Sequence, residues 1–241
     1  MDAQMTFRRY ELKYMLTQAQ AAMLKEAMQN RMEEDRFGHS LIRNLYLDTD
    51  SFRLIRHSLE KPLYKEKLRV RSYGAAGEHD AVFVELKKKF ESVVYKRRLT
   101  LPCGQAMDAL AAGRPLPAIG QIAREIEACR RFYGPTLRPA MYLGYERDAY
   151  RAADGTDFRL TLDTDIRWRT DRLDLGADCG GFSLLEPGQV LMELKTPGGL
   201  PMWMVRFLSE HQIRKISYSK YGTAYTRLAA GEAKQADSRT A

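Results

Sequence analysis

The chain has few cysteines and histidines and no long apolar run, and each shortage removes a class of function. Its three cysteines, Cys103, Cys129 and Cys179, have none of the short spacings of a metal knuckle or a disulfide framework, so a reducing compartment is expected. The four histidines, His39, His57, His79 and His211, share no spacing that suggests a site. No apolar stretch is long enough to cross a bilayer, and the opening residues, MDAQMTFRRYELKY, lack the apolar centre of a signal peptide. The expectation is a cytoplasmic protein with no direct membrane insertion. The alternating aromatic and exposed basic residues of a single-strand nucleic-acid platform are missing too, so nucleic acid is not an expected partner.

What the chain does have is positive charge. Lysine and arginine outnumber aspartate and glutamate 39 to 31, a formal net charge of +8 that favours an anionic partner. With 241 residues there is material for a sizeable core. No repeat or linker divides the sequence, so one domain over 1–230 is expected, followed by a polar tail, 231–241, expected to be disordered.

Eight stretches alternate charged with apolar or aromatic residues and predict strands: 7–16, 41–48, 65–73, 81–89, 92–101, 138–151, 157–169 and 190–196. Helices are predicted from Thr17, whose spacing to Gln20 fits a capping box, to about Glu34. Others are predicted over 118–133, after Pro201, and from Ser219 to about Ala230. Cys103 reads as a loop residue and Cys129 as core, while Trp203 and Phe207 read as helix packing.

In KLRVRSY, residues 67–73, a strand would project Lys67, Arg69 and Arg71 from one face and Leu68 and Val70 from the other. Glu85 and Lys87 share a face in the same way, as do Lys96 and Arg98, and Lys13 joins Arg9 and Glu11. Any one of these faces fits a solvated surface, but solvated faces mix signs, and this set is heavily cationic. The architecture that explains all of them is α+β: a closed antiparallel β-barrel of about eight strands, charged faces inward, helices outside and a C-terminal helix near the mouth. Like charges crowded in such a lumen are costly unless an anion fills it, and a linear polyphosphate matches best.

The motifs RRYELKY, KLRVRSYG, VFVELKKK, VVYKRRL, YERDAY, LTLDTD, LMELKT and SKYG, in that order, resemble the vacuolar transporter chaperone (VTC) domain, the polyphosphate polymerase branch of the triphosphate tunnel metalloenzymes. The resemblance runs from about Phe7 to Gly222. Where the wider superfamily opens on Glu-x-Glu-x-Lys, this chain has Arg9, Glu11 and Lys13, a departure that looks like the VTC branch.

The resemblance implies roles. Lys13, Arg69, Arg71, Lys87, Lys96, Arg98 and Arg147 match phosphate-binding cations, with Lys195 a secondary candidate and Tyr145 placed to donate to the same phosphates. Lys13, Arg69, Arg71, Lys96, Arg147 and Glu193 make up the implied catalytic set. Glu193 matches a ligand for Mn²⁺ or Mg²⁺, while Glu11 and Glu85 fit either metal binding or the orienting of neighbouring cations. Ser219 and Lys220 match a helix that touches a terminal phosphate.

The implied activity is transfer of the γ-phosphoryl group of a nucleoside triphosphate to polyphosphate. Triphosphate hydrolysis and noncatalytic binding of polyphosphate or an inositol phosphate are the alternatives. A membrane-protein partner is a possible associate, and the sequence leaves oligomeric state open. Lys88, Lys89 and Arg97 are expected to face outward. Arg159, Thr161, Asp163, Asp165, Arg167 and Arg169 fit either the lumen or a wet face.

Overall fold

A computed structural model describes residues 10–91, 93–176 and 178–231. Arg9, Ser92 and the tail from 232 onward lie outside the described residues. The elements run β1 (Tyr10–Thr17), α1 (Gln18–Ala27), β2 (Met32–Asp48), α2 (Arg53–Leu59), β3 (Tyr64–Tyr73), β4 (Ala81–Phe90) and β5 (Val93–Pro102). They continue with α3 (Cys103–Ala111), α4 (Gln121–Tyr133), β6 (Arg138–Ala152), β7 (Arg159–Arg169), β8 (Phe182–Ser183), β9 (Gln189–Thr196), α5 (Met202–Glu210), β10 (Lys215–Ile216) and α6 (Lys220–Ala229).

The class is α+β, and the strand order is β10-β1-β9-β7-β6-β2-β3-β4-β5 with β8 beside β7. Among the described residues this path runs from β10 to β5, and no pairing joins those two strands. No helix among the described residues is long and apolar enough to cross a membrane.

The chain divides into two compact units. The first comprises residues up to Ser40, Glu146–Asp165 and Leu185–Tyr218; the second comprises Leu41–Tyr145, Ile166–Leu184 and Ser219 onward. Each has its own core. In the first, Leu16, Leu24, Leu160, Leu162, Met192 and Leu194 pack with Met204 and Phe207 of α5. In the second, Leu68, Val70, Val84 and Leu86 pack with Ala106 and Leu110 of α3 and with Ile126 and Cys129 of α4. Leu68 and Val70 are wholly buried, which stabilises the fold by about 1.5–3 kcal/mol each and fixes the register of β3.

Three local predictions need correction. The first helix stops at Ala27 instead of reaching Glu34: Asn30 turns the chain with a positive φ of 60°, and β2 starts two residues later. Its Thr17 capping box is present as expected. Cys103 is no loop residue; it opens α3 and is buried. Helix α2 was missed because its capping group lies upstream of the segment: the Asp48 carboxylate accepts from the backbone N–H groups of Leu54 and Ile55 at 2.8 and 3.0 Å.

Candidate functional site

In the second unit, strands β2 to β5 stack the cations in rows. Antiparallel register places Arg71 between Asn44 and Phe83, and Arg69 between Tyr46 and Glu85. Glu85 in turn faces Arg98, and Lys87 lies between Lys67 and Lys96. The three rows hold six cations (Lys67, Arg69, Arg71, Lys87, Lys96 and Arg98) against one carboxylate, Glu85. Lys88 and Arg97 fall on the other face, where both approach Glu125 of α4 at 3.9 and 3.0 Å. Lys89 keeps the phase of Lys87 and pairs in register with Lys65.

Glu85 is the hub of this ladder. It is 1% exposed; its Oε2 accepts from Arg69 Nε and Nη2 at 2.9 and 2.7 Å, and its Oε1 meets Lys96 Nζ and Arg98 Nε at 2.7 Å each. Burial alone would raise its pKa, but Arg69, Arg71 and Lys96 hold it well below the usual carboxylate range. With both oxygens taken by cations, Glu85 is arranged to orient those cations, the alternative to metal binding that the sequence left open.

One carboxylate does not neutralise the rows, and the Tyr46 phenol registers the excess. Burial by itself would raise the Tyr46 phenol, yet Arg69, Lys67 and Arg71 bring it down to about 8. Burial lowers Lys96 and its neighbours Arg69 and Arg98 add to that against the pull of Glu85, leaving it at about 8. The field at Tyr46 is therefore positive, whereas Lys96 is lowered mainly by burial.

Tyr145 and the start of α6 border the ladder. Arg71 donates from Nε to Asn44 Oδ1 at 2.9 Å and from Nη2 to the Tyr145 hydroxyl at 3.1 Å. Lys220 Nζ sits 4.7 Å from the centroid of the Tyr145 ring. Ser219 caps α6 by accepting from Gly222 N–H at 3.1 Å, and its hydroxyl also accepts from Lys67 Nζ at 3.0 Å. The structure thus brings Ser219, Lys220, Tyr145 and the ladder together within one unit.

A positioning chain that the sequence reading missed runs behind them. Buried Asp48 accepts from the Tyr221 hydroxyl at 2.8 Å; the Tyr221 ring stacks on Tyr46 at 4.3 Å; the Tyr46 hydroxyl accepts from Arg69 Nη1 at 3.0 Å. Burial raises the Asp48 carboxyl above its ordinary value, against four hydrogen bonds that favour the charge. The sequence signal was LYLD, in which Tyr46 and Asp48 share a strand face.

The first unit holds a separate constellation on β1, β6, β7 and β9. Lys13 is opposite Glu193 in register, and Glu11 is opposite Lys195. Lys13 Nζ lies 3.2 Å from Glu11 and 3.4 Å from Glu193, and donates to the Tyr218 carbonyl at 3.0 Å. Arg147 grips Asp163 with two bonds, 2.6 and 2.7 Å, and reaches Glu193 at 3.5 Å; Lys195 stands 4.0 Å from Glu193. Asp163 is wholly buried, so of the two readings left open for it, the ordinary wet face is excluded. Alternation does not carry on past it, because Asp165 has a positive φ of 44°. Beyond that point Arg169 is a structural side chain, donating to the carbonyls of Arg172 and Gly180 and stacking on Tyr142.

As a metal site, the donor set of the first unit has a definite character. No cluster of three or more His, Cys, Asp or Glu able to hold an ion occurs among the described residues. Glu193 is approached by Lys13, Arg147 and Lys195 at 3.4, 3.5 and 4.0 Å, and Thr161, opposite it in register, has a buried hydroxyl without a hydrogen-bond partner among the described residues. Such a set fits a hydrated Mg²⁺ or Mn²⁺ that takes one or two carboxylates and completes its shell with substrate phosphate oxygens.

The sequence matches the VTC domain family over residues 8–229. The chain belongs to the VTC domain family. No curated protein matches the sequence. Among solved structures, a candidate adenylate cyclase of Bacillus halodurans shares the fold, with a TM-score of 0.55 at 16% identity over 88% of this chain and 95% of that one. A candidate adenylyl cyclase of Hippeastrum, described as having a dominant triphosphatase activity, aligns with a TM-score of 0.49 at 15% identity over 92% of this VTC domain and 95% of that chain. The family match agrees with the VTC resemblance that the motifs indicated, and the Bacillus halodurans structure shares the fold.

Proposed function

We propose that this VTC domain is a polyphosphate polymerase that transfers the γ-phosphoryl group of ATP to the end of a polyphosphate chain. The observation that carries the reading is the six-to-one ladder of β3, β4 and β5, whose excess charge is registered by Tyr46. A linear polyanion supplies the missing negative charge in the form the rows present, one set of donors after another. Membership of the VTC family supports the same substrate class.

Phosphoryl transfer needs position and charge neutralisation more than a nucleophilic side chain. Arg69, Arg71 and Arg98 bind nonbridging oxygens through guanidinium forks held by Glu85 and Asn44, so little reorganisation is needed on binding. Lys67, Lys87 and Lys96 extend the grip by a further row. Ser219, Lys220 and the first N–H groups of α6 bind a terminal phosphate. Glu193, with Glu11 or Asp163 beside its cation partners, would hold Mn²⁺ or Mg²⁺ within the first unit, an ion whose chemistry is the neutralising of phosphate charge.

The deciding experiment incubates purified protein with ATP and Mn²⁺, with and without a chelator, and reads product length on a gel. Long-chain polyphosphate that disappears with the chelator is expected. Orthophosphate as the main product would make the chain a hydrolase, and triphosphate binding without turnover would make it a binding module.

A further inference from the structure

The cation-bearing face of β3, β4 and β5 changes character at one end. Strand alternation puts Tyr73 in phase with Arg69 and Arg71, and Phe83 in phase with Glu85 and Lys87. Phe83 pairs in register with Arg71 on one side and Thr100 on the other, so the aromatic residues adjoin the arginine rows directly. The far end of the same face is a row of Lys65, Lys89 and Val94. Within these three strands, rings in this phase therefore stand at one end of the ladder alone.

The two rings are set apart from the core of this unit. The apolar cluster takes Leu68 and Val70 of β3 and Val82, Val84 and Leu86 of β4, all from the opposite face. Tyr73 is 37% exposed, and its ring meets that of Phe83 edge to face with centroids 5.6 Å apart. The Arg98 guanidinium lies 4.5 Å from the centroid of Phe83 and donates to the Tyr73 hydroxyl, while its Nε stays on Glu85 at 2.7 Å. One arginine thus fastens the aromatic end to the cation rows. Paired rings held in place on a charged face, with one of them well exposed, offer a rigid π-surface beside the phosphate donors.

We infer that Tyr73 and Phe83 form a nucleoside subsite, stacking the base of a nucleoside triphosphate whose phosphates run along the rows from Arg71 towards Lys67 and Ser219. This rests on the polymerase reading and adds the direction in which the nucleotide lies. The length fits: Phe83 and Lys87 are four residues apart on β4, about 13 Å, the reach of an extended nucleoside triphosphate from base to γ-phosphate. Ser219, whose hydroxyl accepts from Lys67, then stands at the γ end. A polyphosphate chain gains nothing from the rings, and the lysine row at the far end suits it better. Stacking reads a π-face and no base edge, so the subsite separates nucleotides from inorganic triphosphate without choosing among bases.

The test is calorimetry on the full chain with ATP and with inorganic tripolyphosphate, without divalent ion so that no turnover enters. Tyr73→Ala should weaken ATP binding by about fivefold or more and tripolyphosphate binding by less than about twofold. Phe83→Leu, which removes the ring but keeps a wall for Arg98, should act in the same direction. Retained tripolyphosphate binding shows the variants to be folded. Equal losses for the two ligands in both variants would overturn the inference, since a mere prop for Arg98 gives that result. ATP binding that neither substitution touches would overturn it too. A wild-type chain that binds tripolyphosphate but not ATP would remove the subsite and leave the cation ladder standing, whereas a chain that binds neither would remove the ladder reading and the subsite with it.

Discussion

The two units solve the problem of buried charge in opposite ways. The first gathers three cations, Lys13, Arg147 and Lys195, with three carboxylates, Glu11, Asp163 and Glu193. The second sets six cations around Glu85 alone. A balanced constellation is satisfied without a ligand, so its loss is felt in folding; an unbalanced one is satisfied only by an incoming anion, so its loss is felt in binding. The contrast separates charges that answer one another within the fold from charges left in excess, which an anion would balance.

The largest effect that could break this comparison is replacement of Arg69 and Arg71 together by alanine. Turnover should disappear and calorimetric triphosphate affinity should fall by about 3–6 kcal/mol, as for two charge-assisted hydrogen-bonding groups, while the melting temperature changes little because Lys96 and Arg98 still hold Glu85. Arg147→Ala should do the reverse in proportion. It strands the wholly buried Asp163, so unfolding stability measured in denaturant should drop by about 3–5 kcal/mol. If Arg147→Ala left stability untouched, the balanced unit would not be the structural one.

A smaller effect tests the excess charge directly. Lys96 loses its proton and Tyr46 becomes anionic as pH rises through about 8, and both changes remove positive potential. Triphosphate affinity should therefore fall by about tenfold between about pH 7 and about pH 9, and binding near pH 8 should take up protons. Lys96→Arg combined with Tyr46→Phe should flatten that profile. Next in size, Tyr221→Phe removes the hydrogen bond to Asp48 and should cost about 1–3 kcal/mol of stability, with KM little changed because the ring still stacks on Tyr46 and the Tyr46 hydroxyl still accepts from Arg69. Smallest, Lys88→Ala on the opposite face should change affinity and stability by less than about 0.5 kcal/mol.

How much of this was legible beforehand follows from periodicity. KLRVRSY, VFVELKKK and VVYKRRL alternate without interruption, so the facing of Lys67, Arg69, Arg71, Glu85, Lys87, Lys96 and Arg98 could be read residue by residue. Ser219 as the cap of the last helix was legible for the same reason: its hydroxyl chemistry is local. In β7 the alternation rule loses its hold at the positive φ of Asp165, which left the burial of Asp163 undecided. The clasp of Asp48 on Tyr221 was invisible because its partners come from segments that no local pattern connects. Lys89 shows a further limit. It shares the phase of the ladder, but at the strand end its phase says little about what covers it.

Sequence distance along these contacts has a consequence for how the molecule is made. Lys67 and Ser219 are 152 positions apart, Asp48 and Tyr221 173, and Lys13 and Tyr218 205. Such far-flung partners slow folding, since the intervening chain must be gathered before they reward it. On the ribosome, everything from Lys13 to Tyr221 must emerge before both constellations gain their last partners, so the cationic face stays unfinished until α6 has been made.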